Sequence, residues 1–379
     1  MALILNEDQL MLKDMAKGFL AEKAPVSELR RLRDEADEKG FSKELWAEMA
    51  EMGWTGVVVP EEFGGIDFGY VGAGVILEEM GRNLTASPFF STAILGATLL
   101  SKYGSDAQKQ DLLPKLVEGN LITALACDER SRHAPSFIQT RAEQSGNGFK
   151  LNGAKTFVLD GHVADKLIVA ARTSGEDRDE SGITLFLVDP KSEGVDVERS
   201  QMVDDRNAAR VTLNDVQVSG DDVLGEIDGG FKALNHALDT GRICLSAEML
   251  GVAQASMERT VEYLKEREQF GRIIGTFQGL QHRAAHLFSE VELTRSAVLK
   301  GLQSLDANDP LTPHLSSMVK AKAGQTAVLA GNEGVQMHGG IGMTDEFDIG
   351  FYMKRARVAQ ESFGDAAFHS DRLAKLAGY

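Results

Sequence analysis

At 379 residues the chain is longer than one hydrophobic core normally supports. Its 43% hydrophobic and 26% charged content is ordinary globular composition, so two or three domains or layers are expected. A formal net charge of −17 argues against nucleic acid as a general partner, and no apolar run approaches the length of a membrane span.

Residues 1–122 read as helical. Leu12, Met15 and Phe19 recur at spacings of three and four, and Asn6 or Asp8 stands where an N-cap belongs. Phe41 to Met52 is a second amphipathic run with Ser42 as its candidate cap. Leu45 occupies the place where a capping box wants Glu or Gln. The segment G-W-T-G-V-V-V-P-E-E-F-G-G then punctuates the chain with glycine and proline. Val71 to Met80 and Thr92 to Tyr103 are apolar and poor in charge, as buried helices are. Asp106 to Val117 closes the stretch.

Residues 123–228 change period. Ile183, Leu185 and Leu187 alternate with Thr184, Phe186 and Val188, and Val211, Leu213, Val216 and Val218 behave similarly around Asn214-Asp215. Gly146-Asn147-Gly148 and the polar run Thr173 to Gly182 are hairpin or loop signals. A small antiparallel β domain is expected, a barrel being one way to close it. Residues 229–379 return to helix, over about 229–268, 278–305, 314–337 and 345–376. The two cysteines, Cys127 and Cys244, leave no disulfide framework, and M-A-L-I-L-N-E-D-Q lacks the basic stretch of a secretory leader. A reducing cytoplasm is the expected setting.

One connection is too elaborate for a plain helix link: Tyr263 to Arg283, Y-L-K-E-R-E-Q-F-G-R-I-I-G-T-F-Q-G-L-Q-H-R. Arg267, Gln269, Arg272 and Gln278 alternate there with Phe270 and Phe277 among three glycines. Guanidinium forks suit phosphate and an aromatic face suits a heterocycle, so a planar anionic guest fits. A structural turn with its charges in solvent fits as well. G-N-E-G-V-Q-M-H-G-G-I-G, residues 331–342, follows a helix rather than a strand, so it is neither a dinucleotide turn nor a P-loop. Gly339 and Gly340 either admit a ligand close to the backbone or simply end the helix. His282 and His286 stand four apart, yet no Glu follows His282 and no third ligand is evident. They read as a polar helix face, and no metal site is expected.

Taken together, these stretches resemble the acyl-CoA dehydrogenase family over essentially the full length. The resemblance rests on P-E-E-F-G-G (Pro60 to Gly65), L-N-G-A-K (Leu151 to Lys155), E-R-E-Q-F-G-R-I-I-G-T-F-Q (Glu266 to Gln278) and Q-M-H-G-G-I-G-M-T (Gln336 to Thr344). It implies a mainly α fold with a middle β domain: an N-terminal helical domain (1–122), a β-barrel-like domain (123–228) and a C-terminal four-helix bundle (229–379) that assembles a homo- or heterotetramer. The implied cofactor is FAD. By resemblance, Arg267 contacts the FAD pyrophosphate of a neighbouring subunit, and Gln269, Phe270, Ile274, Phe277 and Gln278 line the same dinucleotide portion. Gln336, Gly339 and Gly340 match a second, backbone-rich contact. Phe157 falls where the usual tryptophan stands beside the flavin, and Arg242 falls near the CoA or substrate. Acyl-CoA is the implied substrate and an electron-transferring flavoprotein the implied acceptor.

The resemblance breaks at the base. In the family a carboxylate removes the α-proton of the thioester while the β-hydride leaves to flavin. The two positions that carry this carboxylate hold Phe363 and Gly241, and the usual T-E-P appears within C-D-E-R (Cys127 to Arg130). Three readings compete. The chain is the small or partner subunit of a heteromer whose other chain supplies the Glu; its ending E-S-F-G-D-A-A-F-H-S-D-R-L-A looks like that branch, which includes subunits paired for steroid side chains. Or it acts alone with a displaced base, for which Asp239, Glu361 and Asp365 lie near the vacant positions. Or it is a non-catalytic flavin-binding scaffold, or an oxidase or monooxygenase relative.

Overall fold

A computed structural model describes residues 3–379. Helices α1 (Glu7–Lys23), α2 (Val26–Asp34), α3 (Lys43–Glu51), α4 (Gly69–Asn83), α5 (Ala97–Tyr103) and α6 (Asp106–Val117) come first. Strands β1 (Thr123–Ala126), β2 (Arg141–Ser145), β3 (Gly148–Leu159) and β4 (Lys166–Arg172) follow, then β5 (Ile183–Val188), β6 (Val195–Gln201), β7 (Asn207–Ser219) and β8 (Val223–Leu224). Helix α7 (Gly230–Glu266) leads into a two-stranded hairpin of β9 (Glu268–Gln269) and β10 (Arg272–Ile273). The chain ends with α8 (Gln278–Asp306), α9 (Thr312–His338), α10 (Ile349–Glu361) and α11 (Ala366–Leu376). Two compact units result. One holds the chain as far as Glu35, Tyr70–Thr85 and Arg242–Tyr379; the other holds Ala36–Gly69 and Ala86–Gly241.

In the first unit α9 packs against α8, α10 and α11. Helix α1 begins where the sequence signals it. Asn6 Oδ1 accepts from the Gln9 amide (2.8 Å) and Gln9 Oε1 accepts from the Asn6 amide (3.0 Å), a complete capping box; Asp8 sits inside the first turn. Helices α4 and α7 cross with backbone against backbone. A Cβ on Gly81 would stand 2.1 Å from the Glu248 carbonyl oxygen, and one on Gly251 would stand 1.9 Å from that of Glu78. The buried Glu248 carboxylate takes two bonds from the Arg355 guanidinium, at 2.9 Å each. Where the sequence suggests one helix over 345–376, the structure has two. The backbone is left-handed at Phe363 (φ 57°) and Gly364 (φ 103°), and the Asp365 carboxylate caps α11 by accepting from the Phe368 amide.

The second unit is built on the sheet, whose path runs β6-β7-β3-β2-β4-β5-β8 with β1 added beside β4. Most pairs are antiparallel, as expected. The pairings of β1 and β2 with β4 are parallel, which no turn signal in the sequence announces. Strand β5 is buried at all six positions, so Ile183–Val188 is a central strand covered on both faces rather than the half-exposed strand its alternation suggests. Gly146-Asn147 makes the expected two-residue turn between Ser145 and Gly148. The stretch expected as a helix from Thr92 starts instead as a π-helical segment, Phe90–Gly96, before α5. Ser42 does cap α3, accepting from the Leu45 amide. Arg172 is buried and donates to the carbonyl oxygens of Ile138, Ser174, Ser181, Ser136 and Asp179, tying the 134–140 loop to the 173–182 loop.

Candidate functional site

Three groups of residues bear on function, two in the first unit and one in the second, and each is described by itself.

The first is the hairpin that interrupts α7 and α8. Helix α7 runs to Glu266; β9 and β10 pair Gln269 with Arg272, and Phe270-Gly271 form the two-residue turn. Both turn residues have positive φ, 55° and 75°, the geometry of a type I′ hairpin. Glycine takes that conformation freely and phenylalanine does not, so the tip holds a strained ring that is 90% exposed. Arg267 is exposed and has no ion pair among the described residues. Arg272 lies over the Phe277 ring at 4.0 Å, and Phe277 meets Phe270 edge-on at 6.2 Å. Gln269 and Gln278 are exposed and Ile274 is half-buried.

To the same group belong the glycines that end α9. Gly339 has φ 65° and ψ −138°, and no atom comes within 4 Å of where a Cβ would be on Gly339 or Gly340. Gln336 is exposed one turn earlier. An aromatic stack links the two segments: His338 lies on Tyr263 at 4.4 Å and against Phe347 at 4.8 Å. Nothing in the residues announces this stack beyond aromatic side chains near two glycine-rich stretches.

The second group surrounds the break between α10 and α11. Phe363 is buried, and its carbonyl oxygen accepts from Arg242 Nε (3.2 Å) and lies 3.1 Å from His369 Nε2. Lys320 Nζ donates to the carbonyl oxygens of Gln360 (2.8 Å) and Gly364 (2.9 Å). Arg242, Lys320 and His369 are themselves buried. Burial, and next the Arg242 charge, push the Lys320 amine down to about 7. Thus three nitrogen donors grip the backbone of a loop that presents no carboxylate at its centre. Lys320 and His369 were not legible as site residues; the one available hint was a lysine inside the small-residue run V-K-A-K-A-G. Of the candidate displaced bases, Asp365 serves as a helix cap and Glu361 is exposed at the end of α10.

The third group belongs to the second unit. Strand β3 bulges between Lys155 and Val158, and Phe157 stands there at φ 52°, 58% exposed. The Thr156 amide donates to the Asp128 carbonyl oxygen (2.8 Å), fixing C-D-E-R beside the bulge. Glu129 accepts from buried Lys155 (2.6 Å) and from the amides of Gln139 (2.6 Å) and Thr140 (3.0 Å). Burial pushes the Glu129 carboxyl up, but the Lys155 ammonium and the Thr140 hydrogen bonds outweigh it, so its pKa lies below the usual range. Both Asp128 carboxylate oxygens face His133 Nδ1, at 2.9 and 3.1 Å. Gly241 lies on α7; a Cβ there would stand 2.8 Å from Leu95 Cδ2 and 3.5 Å from Phe90 Cζ, in the π-helical segment. Asp239 is buried two residues earlier.

The residues expected to hold FAD suit it. An unpaired guanidinium and open glycines fit a pyrophosphate, and exposed aromatic rings on strained turns fit flat rings. His282 and His286 are exposed on α8, and among the described residues no three His, Cys, Asp or Glu side chains are grouped to hold a metal ion. Nor is any described helix long and apolar enough to cross a membrane.

The family model described as acyl-CoA dehydrogenase, N-terminal domain, matches residues 6–120; the middle-domain model matches 128–216 and the C-terminal-domain model 228–377. The chain is 30% identical to the probable acyl-CoA dehydrogenase YngJ of Bacillus subtilis, over 97% of each chain. Butyryl-CoA dehydrogenase from Megasphaera elsdenii superposes with a TM-score of 0.91 at 27% identity, covering 100% of both chains. A chain of the ChsE4-ChsE5 complex from Mycobacterium tuberculosis superposes at 0.90 with 26% identity, again over 100% of both.

Proposed function

The chain belongs to the acyl-CoA dehydrogenase family, flavoprotein oxidoreductases that bind FAD and act on acyl-CoA thioesters, and from that premise we propose that it works as the partner subunit of a heteromeric dehydrogenase. One observation carries the reading: the buried loop at the end of α10 is held by Arg242, His369 and Lys320, yet its central side chain is Phe363. Proton removal from the α-carbon of a thioester needs a carboxylate within hydrogen-bond reach. Neither Phe363 nor Gly241 takes a proton, so the second chain supplies that group. The existence of a two-chain relative, the ChsE4-ChsE5 complex, supports this reading.

When bound, FAD supplies the acceptor for the β-hydrogen and its electron pair. Arg267 would hold its pyrophosphate and Phe270 and Phe277 its flat ring system, in a site completed by a neighbouring subunit. The open backbone of Gly339-Gly340 and Gln336 would form the second contact. Phe157 would stand beside the flavin and Arg242 near the thioester end of the acyl-CoA. An electron-transferring flavoprotein is the proposed acceptor, by family resemblance alone.

The test is flavin bleaching. The purified chain, loaded with FAD and mixed anaerobically with acyl-CoA substrates, is expected to keep its oxidised spectrum until a glutamate-bearing partner is added. Full reduction by the pure homo-oligomer would sink the proposal. It would favour a second reading in which Asp239, buried near Gly241 on α7, is a displaced base. In that event Asp239→Asn abolishes the bleaching.

A further inference from the structure

The aromatic stack between the hairpin and the glycine segment contains a titratable ring. His338 is 3% exposed and closes α9 immediately before Gly339. Its Nδ1 stands 2.7 Å from the Gly334 carbonyl oxygen, so that nitrogen carries the hydrogen. Its Nε2 is buried and has no hydrogen-bond partner among the described residues. One face of the ring lies against Tyr263, with 25° between the planes, and Phe347 leans on it at 52°; Phe347 also meets Tyr263 edge-on at 6.0 Å.

Tyr263 is also the root of the hairpin. Its carbonyl oxygen accepts from the Arg267 amide (2.9 Å), and the Arg267 carbonyl oxygen accepts from the Ile274 amide (2.8 Å). A continuous path therefore runs from His338 through Tyr263 to Arg267 and Ile274, joining the two segments proposed to touch the cofactor.

We infer that His338 is a positioning residue that locks the hairpin to the glycine segment while its ring is uncharged, and releases it when Nε2 takes a proton. A proton there would place a donor with no acceptor, and a positive charge, inside a box of rings. The charged residues on the elements around the stack do not offset this. Arg259, Glu262 and Glu266 on α7, Glu333 on α9, and Asp345, Glu346 and Asp348 beyond the glycines stand on those elements, but the chief influences on its proton affinity are burial and one carbonyl. Burial lowers it first, and only the Gly334 carbonyl raises it. Several of those groups are already paired: Asp345 with Arg30 and Arg33, Asp348 with Arg30 and Arg259, and Glu333 with Arg283. The folded pKa thus lies below the ordinary histidine value of 6.5. The lock is fully present above 6.5 and is lost as pH falls through the lower, folded value.

The inference uses the cofactor reading only to say what the two segments hold, and its test needs no flavin. Hydrogen exchange at the amides of Arg267 and Ile274 is measured on the cofactor-free chain at pH 7.5 and pH 5, after correction for the intrinsic effect of pH on exchange. The wild-type chain is expected to exchange at least about threefold faster at pH 5. His338→Phe keeps a flat ring without a titrating nitrogen, so its exchange should stay slow at both values; His338→Ala should be fast at both. Equal exchange at both values in the wild type, or the same acid acceleration in His338→Phe, overturns the lock. FAD uptake, followed separately by quenching of flavin fluorescence at pH 7.5, tests the cofactor reading without bearing on this one.

Discussion

Arg242 donates through Nε to the carbonyl oxygen of Phe363 at 3.2 Å, with no part of the arginine open to solvent. The bond joins the first half of α7 to the loop between α10 and α11, residues 121 positions apart. Removing the arginine takes one donor from the Phe363 carbonyl and opens a space beside the Phe368 ring. Arg242→Ala is expected to destabilise the folded chain by roughly 3 kcal/mol, the usual scale for breaking a buried charged contact. A large drop in melting temperature checks this; an unchanged one contradicts the buried geometry.

The same clamp makes a positive prediction at Phe363. The loop's backbone is already held by Arg242, His369 and Lys320, and the left-handed φ of 57° strains a glutamate much as it strains a phenylalanine. Phe363→Glu therefore puts a carboxylate on a loop whose backbone is already held. Under the partner-subunit reading, the FAD-loaded variant is expected to bleach with acyl-CoA at least about tenfold faster than the parent chain. A folded, flavin-loaded variant that remains inert would show that the backbone clamp alone does not build a base.

Gly340 separates cofactor binding from folding. It has ordinary backbone angles and open space where a Cβ would go, so Gly340→Ala should leave the melting temperature of the cofactor-free chain unchanged. If a dinucleotide lies against that backbone, the added methyl should weaken FAD binding by at least about tenfold, on the scale of 1.4 kcal/mol per decade. Fluorescence titration distinguishes the outcomes. Equal affinity would remove Gly340 from the proposed contact.

The Glu129–Lys155 pair sets an acid limit on stability. The folded pKa of Glu129 is lowered from 4.5, so its contribution is fully present above 4.5 and is lost as pH falls through the lower folded value. Lys155→Met leaves a carboxylate buried without its cation, which typically costs about 3–5 kcal/mol near neutral pH. Glu129→Gln should cost less at pH 3 than at pH 7. Melting temperatures of the two variants across pH 3–7 check the sign; a Glu129→Gln deficit that grows toward acid would reverse it.

Much of this was legible in the residues. Periodicity located the long helices because each buries one face, and Asn6, Ser42 and Gly146-Asn147 marked ends and turns through local hydrogen bonding that needs no distant partner. The residues around Arg267 left a planar anionic guest and a plain turn both open, and only the family resemblance named FAD; the glycines at 339–340 offer an open backbone. What was missed depends on long-range assembly. The parallel pairing of β1 with β4 joins residues more than forty positions apart with no turn chemistry between them. The break at Phe363-Gly364 was hidden because the apolar spacing on either side continues in phase. Lys320 and His369 look like surface residues of amphipathic helices until the loop folds back over them. His338 was read only as part of a glycine-rich stretch, since its role rests on rings from α7 and from beyond the glycines.

The crossing of α4 and α7 has a consequence for how this chain can drift. At most crowded positions a neighbouring side chain can change to make room for a new one. At Gly81 and Gly251 the obstacle is the main chain of the opposite helix, at 2.1 and 1.9 Å, and every residue type brings the same carbonyl. No compensating substitution elsewhere opens either position. The two sites behave as one inherited unit, and a lineage keeping this helix crossing is expected to keep both glycines while the surrounding sequence turns over.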